Sequence, residues 1–162
     1  MSGTQLNALA PYRVAIEPGW IDYNGHLRDA YYGVAFSLAI DDLMDQVGID
    51  EPYRIRTRCT LYTLETHCHY LHEVKATDEL AVRMLVMDCD RKRILAAGVF
   101  ECSRLTAPVA VAEAMLLHVH QGDSPSSAPF PPEIESRLLA LKRAASWPAG
   151  LPGSRKLELK RR

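Results

Sequence analysis

No apolar run in this sequence approaches the roughly 20 residues that span a bilayer. Residues 1–11 lack a basic stretch followed by an apolar one, so no secretory signal is expected. No sign of charge dominates. The formal net charge is −1, which gives no electrostatic reason for a nucleic-acid or membrane partner. The single basic run, Arg155, Lys156, Lys160, Arg161 and Arg162, reads as a solvated tail. The four cysteines, Cys59, Cys68, Cys89 and Cys102, contain no C-x-x-C pair. Without a signal, that scatter predicts free, mostly buried thiols and a cytoplasmic protein. There is no internal repeat.

What is present fits one domain. A chain of 162 residues with 48% hydrophobic and 24% charged content can bury a real core. Residues 12–17 alternate as a short strand, ended by Pro18-Gly19. Asp22-Tyr23-Asn24-Gly25 is turn-like, because Asn and Gly tolerate the positive φ of tight turns. Asp29 is placed to N-cap a helix over 30–47, about 27 Å long. Its apolar stripe is Tyr32, Phe36, Ala39, Ile40, Leu43 and Val47, and Gly48 supplies the C-cap.

Strand signals rich in Val, Leu, Tyr, Thr and Cys follow over 58–71, 79–88, 93–103 and 109–120. Short hairpins between them favour antiparallel neighbours. Residues 121–132, dominated by Ser and Pro, read as a linker, and Pro132 opens a short amphipathic helix to 144. The predicted fold class is α+β, one long helix against an antiparallel sheet. Residues 1–121 form the main unit, and 122–162 add linker, short helix and basic tail to the same domain. One helix cannot cover both faces of a sheet, so the other face is solvated or covered by a partner subunit.

Trp20-Ile21-Asp22-Tyr23-Asn24-Gly25-His26 places a carboxylate, an amide and an imidazole at alternate positions, just before the long helix. The unpaired N–H groups of that helix start carry partial positive charge and can hold a developing oxyanion. A carboxylate beside such a site is the minimum equipment for acyl transfer to water, as nucleophile or as general base. Alternatively, Asp22 and Asn24 only form the turn and His26 is a surface residue.

Asp22-x-Asn24-x-His26 with Leu27-Arg28-Asp29-Ala30-Tyr31 resembles the D-x-N-x-H-V-N-N motif of hotdog acyl thioesterases. Asp22, Gly25 and Tyr31 also satisfy most of the D-x-x-G and N-x-Y pattern of the 4-hydroxybenzoyl-CoA thioesterases. A narrower resemblance joins Asp22-Tyr23-Asn24-Gly25-His26, Glu65-Thr66-His67 and the segment from Ala112-Glu113 to His118-Val119. In that order they are similar to betainyl-CoA thioesterases of carnitine breakdown. Arg28-Asp29 departs from the family's Asn-Asn, so that amide pair's role does not carry over.

The resemblance implies a hotdog fold, a sheet wrapped around a central helix, with two protomers pairing to make the active sites as a homodimer or homotetramer. It implies an acyl-CoA substrate and no metal or cofactor. Asp22 would be the catalytic carboxylate, with Asn24 and His26 as positioning or polarising partners. Glu65 would take an acidic role, and the backbones of Asp29 and Ala30 would form the oxyanion site. His67 stands one strand period from Glu65, on the same face. For a quaternary ammonium such as betaine's, held typically against aromatic faces, Trp20, Tyr23, Tyr31 and Tyr32 cluster near the site. Trp20, Tyr23, Tyr31 and His67 are the candidate substrate-binding residues. The competing role for the aromatics is core or interface packing.

Three rivals remain. His67-x-His69-x-x-x-Glu73 matches the spacing of a cupin metal site, but its flanking glycines and second half are missing. A long helix between early strands also fits a jelly roll poorly. A non-catalytic hotdog domain that binds acyl-CoA or protein lacks a reason for a carboxylate at position 22. A dehydratase of the same fold needs a His-then-acid arrangement that is not evident. Within the hydrolase reading, a general short-chain acyl-CoA is the alternative substrate.

Overall fold

The computed structural model describes residues 8–152. The basic run at 155–162 and residues 1–7 therefore lie outside the described residues. The chain runs β1 (Tyr12–Val14), a single 3-10 turn (Pro18–Trp20), α1 (Asp29–Val47), α2 (Glu51–Thr57), β2 (Cys59–Tyr70) and β3 (Leu80–Cys89). It continues through β4 (Arg93–Cys102), β5 (Ala110–His120), β6 (Ser126–Ser127) and α3 (Pro132–Ala144). The antiparallel sheet has the order β1-β3-β4-β5-β2, with β6 paired to β5.

The sheet wraps α1 because that helix is apolar where it meets strands. All six stripe residues, Tyr32, Phe36, Ala39, Ile40, Leu43 and Val47, are buried, and Ala35 and Met44 widen the stripe. Facing them on β4 is Gly98, where an added Cβ would stand 2.7 Å from the Phe36 ring. The missing side chain leaves room for the ring against the strand. Gly48 ends α1 at φ 95°, its N–H donating to the carbonyls of Met44 and Asp45.

The start of α1 differs from expectation. Arg28, not Asp29, is the N-cap, and it contributes no side-chain hydrogen bond. The Arg28 N–H is drawn to the Trp20 carbonyl at 2.9 Å, which keeps the chain extended one residue further. Asp29 becomes the first helical residue.

The strand order also corrects the simple hairpin scheme. β3, β4 and β5 are hairpin neighbours, but β2 lies at the far edge and pairs with β5. The link from β2 to β3 is no tight turn. It crosses beside the residues that precede α1, with the Leu27 N–H donating to the Val74 carbonyl and a bridge from His26 to Lys75. Asp78 anchors this link. Its buried carboxylate accepts from the Lys75 N–H and from the Arg104 guanidinium, which also donates to the Glu73 carbonyl.

Two elements go beyond the expected set. α2 is capped by Asp50, whose carboxylate accepts from the Tyr53 N–H at 2.9 Å, with a proline in the first turn. The segment expected to be a linker contains β6, which pairs with Val119 and His120. α3 spans the expected residues, and Ile134, Leu138 and Leu141 join the main core. Among the described residues, no helix is long and apolar enough to cross a membrane, and all four cysteines are free.

Candidate active site

Residues 21–27 form a miniature hairpin. Ile21 bridges Leu27, the Asp22 N–H donates to the His26 carbonyl at 2.8 Å, and Gly25 turns the chain at φ 80°. Inside the loop, Asp22 Oδ1 accepts from the Asn24 N–H at 2.8 Å and the His26 N–H at 3.0 Å. Asn24 and His26 thus meet Asp22 through their backbones. The hydrogen bond from His26, helped by that from Asn24 against partial burial, holds the Asp22 carboxyl below the usual carboxylate range. Asp22 is ionised at neutral pH, with one oxygen tied down.

This hairpin feeds directly into α1. Asp29 and Ala30 open the helix, and no side chain caps them. The N–H groups of a first helical turn have no intrahelical acceptor, so they can receive an oxygen anion. The His26 imidazole turns to Glu73, with Nε2 3.0 Å from Oε2. Glu73 entered the sequence reading only as a would-be metal ligand. Its pairing with His26 depends on the β2–β3 crossing, which no local pattern announces.

Glu65 and His67 form a second pair on β2, with Nε2 2.9 Å from Oε1. Strand alternation sets them opposite Cys68 and Tyr70, which pack toward α1. Glu65 and His67 pair with each other, whereas Asp22 is held by the Asn24 and His26 N–H groups. Within the chain the two acidic groups belong to different hydrogen-bonded clusters. The proposed cupin set is likewise divided, because His67 is paired with Glu65 and Glu73 with His26. Among the described residues, no three His, Cys, Asp or Glu side chains converge as a metal site. The wrapped single sheet is no jelly roll, so the cupin architecture fails on fold.

The aromatics near the site divide by environment. Trp20 and Tyr31 stack on one another, 5.0 Å apart and 10° from parallel. Tyr23 is 91% exposed. Tyr32 is buried and meets Tyr70 edge to face, at 5.2 Å and 78°. Two cavities adjoin there. The larger, about 490 Å³, lies between α1 and β2, and its lining includes Ala30, Phe36, His67 and Cys68. The smaller, about 290 Å³, is lined by His26, His72 and Glu73. Asp29, Tyr32 and Tyr70 line both.

The family model described as the thioesterase-like superfamily matches residues 16–138. A betainyl-CoA thioesterase of Pseudomonas aeruginosa is 42% identical over 136 residues, covering 84% of this chain and 85% of its own. A Pseudomonas putida structure described as a candidate thioesterase superposes with TM-score 0.76 at 37% identity, covering 93% of this chain and 97% of that one. A Staphylococcus aureus protein solved in complex with CoA gives TM-score 0.79, covering 91% and 94%. Its identity is 24%, so it speaks for the fold alone.

Proposed function

The chain belongs to the thioesterase-like superfamily, has the hotdog fold and hydrolyses thioesters, and from that premise we propose that it converts betainyl-CoA to betaine and CoA. The observation that carries the choice of substrate is the identity with the Pseudomonas aeruginosa betainyl-CoA thioesterase across most of both chains. The cavity chemistry supports it: among the described residues, Asp29 and Glu73 are in the linings, and no Lys or Arg is. Such a wall suits a cationic acyl group better than an anionic one.

In the proposed reaction the thioester carbonyl rests at the start of α1. Its oxygen accepts from the N–H groups of Asp29 and Ala30 as negative charge develops. Asp22, ionised and with Oδ1 anchored by two backbone N–H groups, offers its other oxygen to the chemistry. That oxygen attacks the carbonyl carbon, or takes a proton from the water that does. The C–S bond breaks, CoA leaves as the thiol, and water supplies the oxygen of the carboxylate product. His26 is held by Glu73 as a polarising partner. No step asks for a metal or a cofactor. The free cysteines fit the cytoplasmic placement that belongs to this reading.

We infer a homo-oligomer as the working unit. Among the described residues, β2 is bonded on one side only, although it is twelve residues long. Tyr62, Leu64 and Tyr70 are exposed on it, and Val34 and Leu38 are exposed on α1. A long open edge beside apolar surface is a template for a second strand, and a second copy there would close the α1–β2 cavity. Glu65 and His67, on this same strand, enter the proposal as groups at that margin.

The experiment is a thioester panel read through released thiol, with betainyl-CoA beside acetyl-, butyryl- and 3,3-dimethylbutyryl-CoA. Betainyl-CoA is expected to give the highest kcat/KM. Equal rates across the panel would make this a general short-chain acyl-CoA thioesterase instead.

A further inference from the structure

Trp20 and Tyr31 are near the Asp22 hairpin, yet neither lines either cavity. Their parallel stack turns one face of each ring against the other. Tyr32 and Tyr70 are arranged differently. Their planes meet at 78° with centroids 5.2 Å apart, and both rings line both cavities. Tyr32 is locked in the core against Phe100, while Tyr70 is half exposed at the end of β2. The Tyr70 hydroxyl donates to the Asp29 carbonyl at 3.4 Å, which ties the ring to the first residue of α1. The corner therefore stands beside the backbone that would hold the oxyanion.

We propose that Tyr70 and Tyr32 are the specificity-determining seat for the cationic head of the acyl group, with the Asp29 and Glu73 carboxylates beside it. This rests on the betainyl-CoA reading and deepens it by locating the recognition. A cation is drawn to an aromatic face from within about 6 Å of the ring centre. Rings 5.2 Å apart at nearly a right angle place one guest within that reach of both. The acyl chain of betainyl-CoA is a single methylene between carbonyl and nitrogen, so head and carbonyl must bind within a few bonds of each other. Tyr70 meets that requirement through its contact with Asp29. The carboxylates add attraction, and among the described residues no Lys or Arg in the linings opposes it.

The test compares betainyl-CoA with 3,3-dimethylbutyryl-CoA, which keeps three methyl groups and loses the charge. Each is measured on the unmodified protein and on Tyr70→Leu, Tyr70→Met and Tyr70→Phe, all checked for folding by circular dichroism. Loss of one cation–aromatic contact lowers the betainyl preference by about 5- to 30-fold. That loss is expected in Tyr70→Leu and Tyr70→Met, with kcat/KM on the neutral analogue changing much less. Tyr70→Phe keeps the face and should keep most of the preference. Should both non-aromatic variants retain the preference of the unmodified protein, the seat lies elsewhere and this inference is overturned while betainyl-CoA stands. No preference in the unmodified protein would overturn the substrate and the seat together.

Discussion

His26 has two attachments with opposite destinations, its N–H to Asp22 and its imidazole to Glu73. The first stabilises the ionised carboxylate, and the second fixes the ring. If the ring works only as Glu73 holds it, the two residues act as one unit. Glu73→Gln and His26→Ala are each expected to lower kcat/KM on the preferred thioester by about tenfold, or about 1.4 kcal/mol of transition-state stabilisation. The double variant should then lose little more than either single one. Losses that multiply to about a hundredfold would mean the side chains act independently. Asp22, Asn24 and His26 could be singled out in the sequence because they crowd one short turn ahead of a helix. The pairing of Glu73 with His26 and the place of Tyr70 could not, since they come from a crossing connection and from an edge strand laid against the start of α1.

At the scale of elements, His118 joins parts of the fold that short-range pattern leaves separate. It is buried on β5, its Nδ1 2.9 Å from the Ala128 carbonyl and its Nε2 2.9 Å from the Tyr53 hydroxyl. A carbonyl only accepts, so Nδ1 carries the proton and Nε2 receives the Tyr53 hydroxyl. One neutral imidazole thereby ties α2 and the strand-β6 segment to the sheet. Burial pushes its pKa below the ordinary value of 6.5, against the backbone hydrogen bonds that raise it. Above pH 6.5 both folded and unfolded chains hold it neutral, and its contribution is fully present. As the pH falls below 6.5 the unfolded chain takes up a proton first, and stability declines by up to about 1.4 kcal/mol per pH unit. Denaturant unfolding between pH 7.5 and 5 should show this decline, and His118→Phe should flatten it. An unchanged slope in the variant would assign the decline to other groups. The helix α1 and the strands β3 to β5 were legible because their periodicities match the faces they bury. The edge position of β2 was not, because strand order depends on contacts distant in the chain. For α2 a signal did exist, Asp50 followed by Pro52, where an N-cap and a first-turn proline open a helix as well as end one.

For the whole molecule, the open edge of β2 and the cavity beside it are the features from which the homo-oligomer is proposed. Light scattering at micromolar concentration is expected to give at least twice the mass of one 18.1 kDa chain. A fully active monomer would contradict the proposed assembly. The sequence pattern carried the fold class, and one helix against one sheet left the other face either solvated or covered by a partner. It held no sign of which strand would be left at the edge. The central claim is that Asp22 drives hydrolysis of betainyl-CoA, and the rate of thiol release by the purified protein and by Asp22→Asn tests it most directly. The amide keeps the size of the carboxylate and an oxygen to accept from the Asn24 and His26 N–H groups, so the hairpin should survive while the charge is lost. The unmodified protein is expected to turn over betainyl-CoA, and Asp22→Asn, folded by circular dichroism, to lose about 10² or more in kcat. An Asp22→Asn variant that works at the unmodified rate, or an unmodified protein without activity on betainyl-CoA, would contradict it.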